Sequence, residues 1–255
     1  NEQEDLAEGT LISHLVELRQ RLLYSVYAVL AVFVCLVPFA QEIYTFVSAP
    51  MQESLPEGQT LIATGVATPF LTPFKTALLA AVFVAMPVVI FQGWRFVAPG
   101  LYRSEKRFAM PLVLSSILLF YCGTAFAYFI VFPLVFEFFS LAVPQGVVQA
   151  PDINQYLDFV LTIFFAFGIA FEVPIATFML VWSRLVTIES LGKVRPYVFL
   201  GAFVLGMFLT PPDFISQTLL AVPMYLLYEG GIIMSRLLLA DRFSEDANAE
   251  GGESS

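Results

Sequence analysis

Four acidic residues hold the chemical potential of this sequence. Glu17 lies in "HLVELRQRLL" (14–23), beside two arginines and the only histidine, just ahead of the first long apolar run. Glu105 lies in "LYRSEKR" (101–107), another basic stretch, and Glu172 in the apolar "AFGIAFEVP" (166–174). Asp213 sits in the rigid "TPPDFISQ" (210–217). A carboxylate set among cations either tempers their charge or receives a cation from outside. As a helix, the first stretch places Glu17 and Arg21 at i,i+4, and a solvent-facing pair of that kind stabilises by only about 0.3–0.5 kcal/mol. Glu105 can equally cap a helix start. Glu172 is different, because an ionisable group deep in a bilayer costs about 2.5–3.5 kcal/mol and is a functional candidate by default. Asp213 reads as a turn and helix cap.

Other chemistry is poorly served. There is no P-loop, no serine nucleophile elbow and no cluster with metal-ligand spacing, and His14 lies outside the apolar runs. Cys35 and Cys122 sit in apolar runs and read as small packing residues. No cofactor is implied. No basic stripe suggests nucleic acid.

The elements that must position these residues follow from composition. Of 255 residues, 58% are hydrophobic and 13% charged, against about 45–50% and about 25% in soluble domains. The apolar residues come in runs long enough to cross a bilayer, which needs about 20 residues. Six spans are predicted: 22–40, 69–92, 108–136, 156–183, 197–209 and 214–233. The fifth is short, which predicts local thinning of the bilayer and a shallow hairpin with the sixth. Prolines 87, 111, 133, 174 and 223 predict bent helices. The expected fold is an all-α integral membrane protein with six bent helices of unequal length, curved with a concave face.

Eleven of the twelve basic residues fall on one side of these spans, and Lys75 falls inside the second. The positive-inside rule then puts both termini in the cytoplasm. The net charge of −9 is concentrated towards acidic ends, residues 1–10 and 237–255, which read as disordered tails around a membrane domain at 11–236. An acidic lead with no small-residue cleavage site makes the first span a retained anchor. In the outer loops, a short amphipathic helix is expected near 49–55 and an extended connection over 137–155.

The sequence resembles the TatC family, the multispanning core subunits of the twin-arginine protein translocase, in its proteobacterial form. The resemblance runs from about residue 11 to 236. It rests on "HLVELRQRLL", "SAP", "ATPFLTPFK", "FVAPGLYRSEKR", "FAFGIAFEVP", "RPYVFLGAFVLGM" and "TPPDFISQTLLAVPMYLLYE", in that order. It implies a non-enzymatic receptor in the bacterial inner membrane that binds paired-arginine signal peptides of folded cargo. The matching positions for that site are Glu17 and Glu105, with Arg19, Phe96, Pro99 and Leu101. It assigns a role on the concave face to Glu172, and contact with the single-span TatA and TatB partners to Met207, Thr210 and Gln217. Pro50 matches a sensitive outer-loop position. Self-association in a multimeric receptor complex, contact with membrane lipid and transport driven by the proton gradient are also family implications. Two rivals are a proton-coupled solute transporter built on Glu172 and a purely structural scaffold.

Overall fold

The structure is a computed structural model. It describes the backbone of residues 2–55, 60–97, 106–144, 150–209 and 214–252, and the side chains of 13–53, 55, 60–96, 110–144, 150–208, 214, 215 and 217–239. The elements are α1 (Glu2–Leu36), a 3-10 turn (Val37–Phe39), α2 (Ala40–Ser54), α3 (Thr68–Val97), α4 (Lys106–Phe126), a π-turn (Ala127–Val131), α5 (Phe132–Leu141), α6 (Ile153–Ala170), α7 (Val173–Trp182), α8 (Ile188–Leu209) and α9 (Phe214–Gly252). Among the described residues there is one isolated bridge, Ile62 to Asp152, and no sheet.

Among the described residues, six helical stretches are long and apolar enough to cross a membrane: Ser13–Glu53, Thr68–Phe96, Met110–Leu141, Ile153–Trp182, Ile188–Phe208 and Gln217–Leu239. In hydrocarbon every backbone N–H and C=O must find its partner within the chain, and a helix does this locally. This is an all-α, multi-pass membrane protein.

Several expectations are corrected. The fifth helix begins at Ile188, nine residues before the predicted Tyr197, and its span of 21 residues reaches about 30 Å at 1.5 Å per residue. Its length therefore calls for no thinning. The charged Glu189, Lys193 and Arg195 in its first turns concealed it from a hydropathy reading. The helix expected at 49–55 is longer, running from Ala40 to Ser54. At the two ends of the chain α1 starts at Glu2 and α9 continues to Gly252; glutamate and alanine are good helix formers, and extending an existing helix avoids the cost of nucleation.

The backbone ladder is broken at two of the predicted prolines. Pro133 has no N–H to offer the Phe129 carbonyl, and the ladder widens there into the π-turn, Phe132 N–H reaching Ala127 O. Pro174 likewise breaks the fourth span. The Glu172 N–H retreats to Ile169 O at 3.0 Å, and α7 restarts with Ala176 N–H on Glu172 O at 2.9 Å.

Packing divides the chain into two compact units, residues 1–117 with 142–158, and 118–141 with 159–255. In the first, α3 is the hub for α1 and α2, through small buried residues such as Ala77 and Ala81. One end of it is closed by Asp152, whose Oδ2 accepts Thr64 N–H at 2.9 Å and Thr64 Oγ1 at 2.7 Å. Asp152 Oδ1 caps α6 by accepting the N–H groups of Asn154 and Gln155. Tyr156 donates its hydroxyl to Val47 O at 2.8 Å. Lys75 is satisfied inside this unit by Asn154 Oδ1 and the Asp158 carboxylate.

In the second unit α9 packs on α7 and α8. A Cβ on Gly231 would lie 2.9 Å from Pro174 Cα, and one on Gly123 would lie 2.5 Å from Phe167 O. Glycine at these points lets helix backbones approach closely, which is how helices pack tightly where lipid offers no hydrophobic drive.

Candidate functional site

The N-terminal end of the first apolar span and the C-terminal end of the second meet in the first unit, because α1 and α3 pack along each other. Glu17, one turn before Arg21, accepts from both Nη2 (2.7 Å) and Nε (3.2 Å) of that residue through its Oε1. Arg21 Nη1 turns the other way and donates to Gln92 Oε1 on α3 at 3.2 Å. One guanidinium thus ties Glu17 to the facing helix. The Glu17 side chain keeps 36% of its surface exposed while Arg21 keeps 18%, so the acid faces outwards and its partner inwards.

Phe96 joins the same end. Its ring stacks on His14, with centroids 4.3 Å apart and planes 21° from parallel. Trp94 anchors this stretch from the other side, donating its indole N–H to the buried Ser116 Oγ at 2.9 Å. Glu17 and Phe96, predicted from separate motifs, therefore lie at the same end of the α1–α3 pair. Arg19 is exposed. Glu105, Pro99 and Leu101, predicted for the same site, lie outside the described residues, as do Thr210 and Asp213.

The remaining predicted positions are elsewhere. Pro50 is buried inside α2, next to the buried Met51. Glu172 stands at the break between α6 and α7, half-buried, with Oε1 sealed from solvent. Below that break Phe171 and Pro174 line an apolar cavity of about 450 Å³ with Pro223 and Leu226 of α9. Met207 is exposed and Gln217 half-buried, and they share one end of the α8–α9 pair, where α9 passes Gly206 at Gln217.

Among the described residues two ion pairs escaped the sequence reading, that of Lys75 with Asp158 described above and that of Arg195 with Glu229. Arg195 Nη2 donates to Glu229 Oε2 at 2.7 Å, and Tyr225 donates its hydroxyl to Glu229 Oε1 at 2.8 Å. Arg195 had been counted as a loop residue; it lies in α8, facing a carboxylate within the sixth span. The signal available was Glu229 itself, an acid in an apolar run, the same logic that picked out Glu172.

Against known proteins, the family model described as "Sec-independent protein translocase protein (TatC)" matches residues 13–223. The chain belongs to the TatC family. A TatC protein of Azotobacter chroococcum is 59% identical over 244 residues, covering 96% of this chain and 94% of its own length. That of Escherichia coli K12 is 51% identical over 226 residues, covering 89% and 88%. A solved structure described as "Crystal Structure of Twin Arginine Translocase Receptor- TatC" superposes with a TM-score of 0.77 at 40% identity, covering 88% of this chain and 98% of that one. A second, of the receptor in DDM, gives 0.79 at 38%, covering 87% and 99%. TatC membership makes the chain part of a protein-transport system.

Proposed function

We propose that the chain is the signal-peptide receptor and core subunit of a twin-arginine export system in a bacterial inner membrane, with both termini cytoplasmic. In this reading it has no catalytic reaction. It takes the paired arginines of a folded precursor's signal at Glu17 and Glu105, with Arg19, Phe96, Pro99 and Leu101 around them. TatA and TatB contact the α8–α9 end through Met207, Thr210 and Gln217. Pro50 supports the outer face, and Glu172 meets a proton or a polar group of a partner helix during transport driven by the proton gradient. Several copies assemble into the receptor complex.

The observation that supports this best is that the half-exposed Glu17 carboxylate already grips a guanidinium, that of Arg21. A planar guanidinium offers two parallel N–H bonds to a carboxylate, which an ammonium cannot imitate. An arriving arginine therefore competes for a carboxylate already set for its chemistry. Each charge-assisted hydrogen bond contributes about 1.5–3 kcal/mol, and less when exposed. Micromolar binding needs about 8 kcal/mol. The two arginines act as a selectivity gate, and the signal's apolar segment supplies the remaining affinity.

The test compares Arg-Arg with Lys-Lys signal peptides in a cross-linking assay on the membrane-embedded protein. Strong cross-linking to Arg-Arg alone, lost in both Glu17→Ala and Glu105→Ala, is the expected result. Undiminished cross-linking in both variants sinks the site.

A further inference from the structure

Beside Glu17 lies a feature that shares only Arg21, the partner of Glu17, with the proposed signal site. Gln20, Arg21 and Tyr24 of α1 and Arg95 of α3 line a polar pocket of about 280 Å³. We infer that this pocket is a binding site for the phosphodiester headgroup of an anionic membrane phospholipid. The inference does not depend on which side of the membrane the pocket faces, nor on the signal site being correct.

The donor set fits a phosphodiester. Arg21 has spent three of its five N–H groups, two on Glu17 and one on Gln92, which leaves two. Gln20 Nε2 donates to Tyr24 Oη at 3.0 Å. The tyrosine hydroxyl thus already accepts, and its own hydrogen remains to be donated. Arg95 is exposed, with its guanidinium 5.6 Å above the Phe91 ring, which holds the planar fork in place.

Charge selects the class of ligand. Arg21 is neutralised by Glu17, so Arg95 leaves the described lining with one net positive charge. A phosphodiester, with one negative charge, balances it. A free phosphate at neutral pH carries more charge than the pocket offsets.

Position selects the source. Tyr24 lies two residues inside the predicted start of the first span, at the depth where tyrosine favours the membrane interface. From it run the exposed Tyr27 of α1 and, from Arg95, the exposed Val88 and Val84 of α3. A headgroup seated on the arginines would leave its acyl chains beside these apolar side chains. Basic pockets between spans commonly hold lipid phosphates in this way.

The experiment uses the full chain in nanodiscs of phosphatidylcholine containing a minor share of phosphatidylglycerol, with co-released lipid counted by native mass spectrometry. The expected result is enrichment of phosphatidylglycerol over its share in the disc, reduced about fivefold in Arg95→Gln and about threefold in Tyr24→Phe, with Arg236→Gln unchanged. Gel filtration and the thermal transition verify folding. If Arg95→Gln fails to fold, Tyr24→Phe, which removes one hydroxyl, decides. Equal retention of the two lipids overturns the proposal, as does undiminished enrichment in the folded variants. An equal loss in Arg236→Gln means diffuse surface charge and also overturns it. Displacement of the lipid by inorganic phosphate at about 10 mM would assign the pocket to a soluble anion and reject the lipid.

Discussion

His14 and Phe96 stack face to face with ring centroids 4.3 Å apart, joining the beginning of α1 to the end of α3. Such a pair contributes about 0.5–1.5 kcal/mol beyond the area it buries. In His14→Ala the Phe96 ring loses its platform, so signal cross-linking falls together with a drop of a few °C in the melting temperature, at about 2–4 °C per kcal/mol for a chain of this size. His14→Phe restores both. If His14→Ala cross-links like the parent, the stack is mere packing and does not position Phe96 for the signal.

Arg21 holds the Glu17 carboxylate, so under the proposed function it is the guanidinium that an incoming arginine must replace. An i,i+4 pair of this kind stabilises by about 0.3–0.5 kcal/mol, equivalent to about a twofold change in an equilibrium. Arg21→Gln is therefore expected to bind a fluorescent Arg-Arg signal peptide about twofold more tightly. A tenfold weakening in that titration would show that Arg21 orients Glu17 rather than competing for it.

The physics that makes spans legible also limits what else can be read. Lipid demands long apolar runs, so six spans and the membrane class could be taken from hydropathy. Hydropathy lost the start of α8 because Lys193 and Arg195 mimic a loop, although Arg195 is offset in space by Glu229. Pairing partners far apart in sequence leave no local mark. Thr64 and Asp152 are 88 positions apart, and nothing in either segment names the other. At the candidate site, Glu17 stood out as an acid among basic residues, and Phe96 came from motif resemblance. Their placement at one end required the α1–α3 packing, and the pocket of Arg21 and Arg95 emerges only from that packing. His14, which the sequence leaves without a role, is an aromatic platform for Phe96.

The Thr64 hydroxyl and N–H, with the N–H groups of Gln155 and Asn154, hold the Asp152 carboxyl at about 2, below its ordinary 3.8. A carboxylate with a depressed value stabilises the folded state above its unfolded pKa, and that contribution fades as pH falls towards the folded value. Asp152→Asn is expected to melt below the parent at neutral pH, with the gap constant down to about pH 5 and closing between about pH 4 and 2. Thermal unfolding in detergent across that range checks this. A gap that narrows instead between pH 7 and 5 would point to another titrating group.

Gly231 and Gly201 offer a matched pair in the second unit. A Cβ at Gly231 meets Thr177 and Pro174, whereas one at Gly201 meets nothing within 4 Å. Overpacking typically costs about 1–3 kcal/mol, while alanine in an open helical position gains about 0.5–1 kcal/mol over glycine. Gly231→Ala should lower the melting temperature and Gly201→Ala should hold or raise it. Equal shifts for both would mean that α9 slides freely on α7.

Glu229 joins Arg195 and Tyr225 in one network between α8 and α9. Removing either charge leaves the other inside a span, so each single change costs more than the pair contributes. The double variant Arg195→Gln/Glu229→Gln should accordingly lie closer to the parent than the sum of the single variants, with a coupling of about 0.5–1.7 kcal/mol by analogy with polar pairs between membrane helices. Additive melting shifts would place Arg195 in contact with water or headgroups, making its bond to Glu229 incidental. A measured coupling would make this pair the polar tie that sets α8 against α9, and with it the spacing of Met207 and Gln217 at the opposite end of the hairpin.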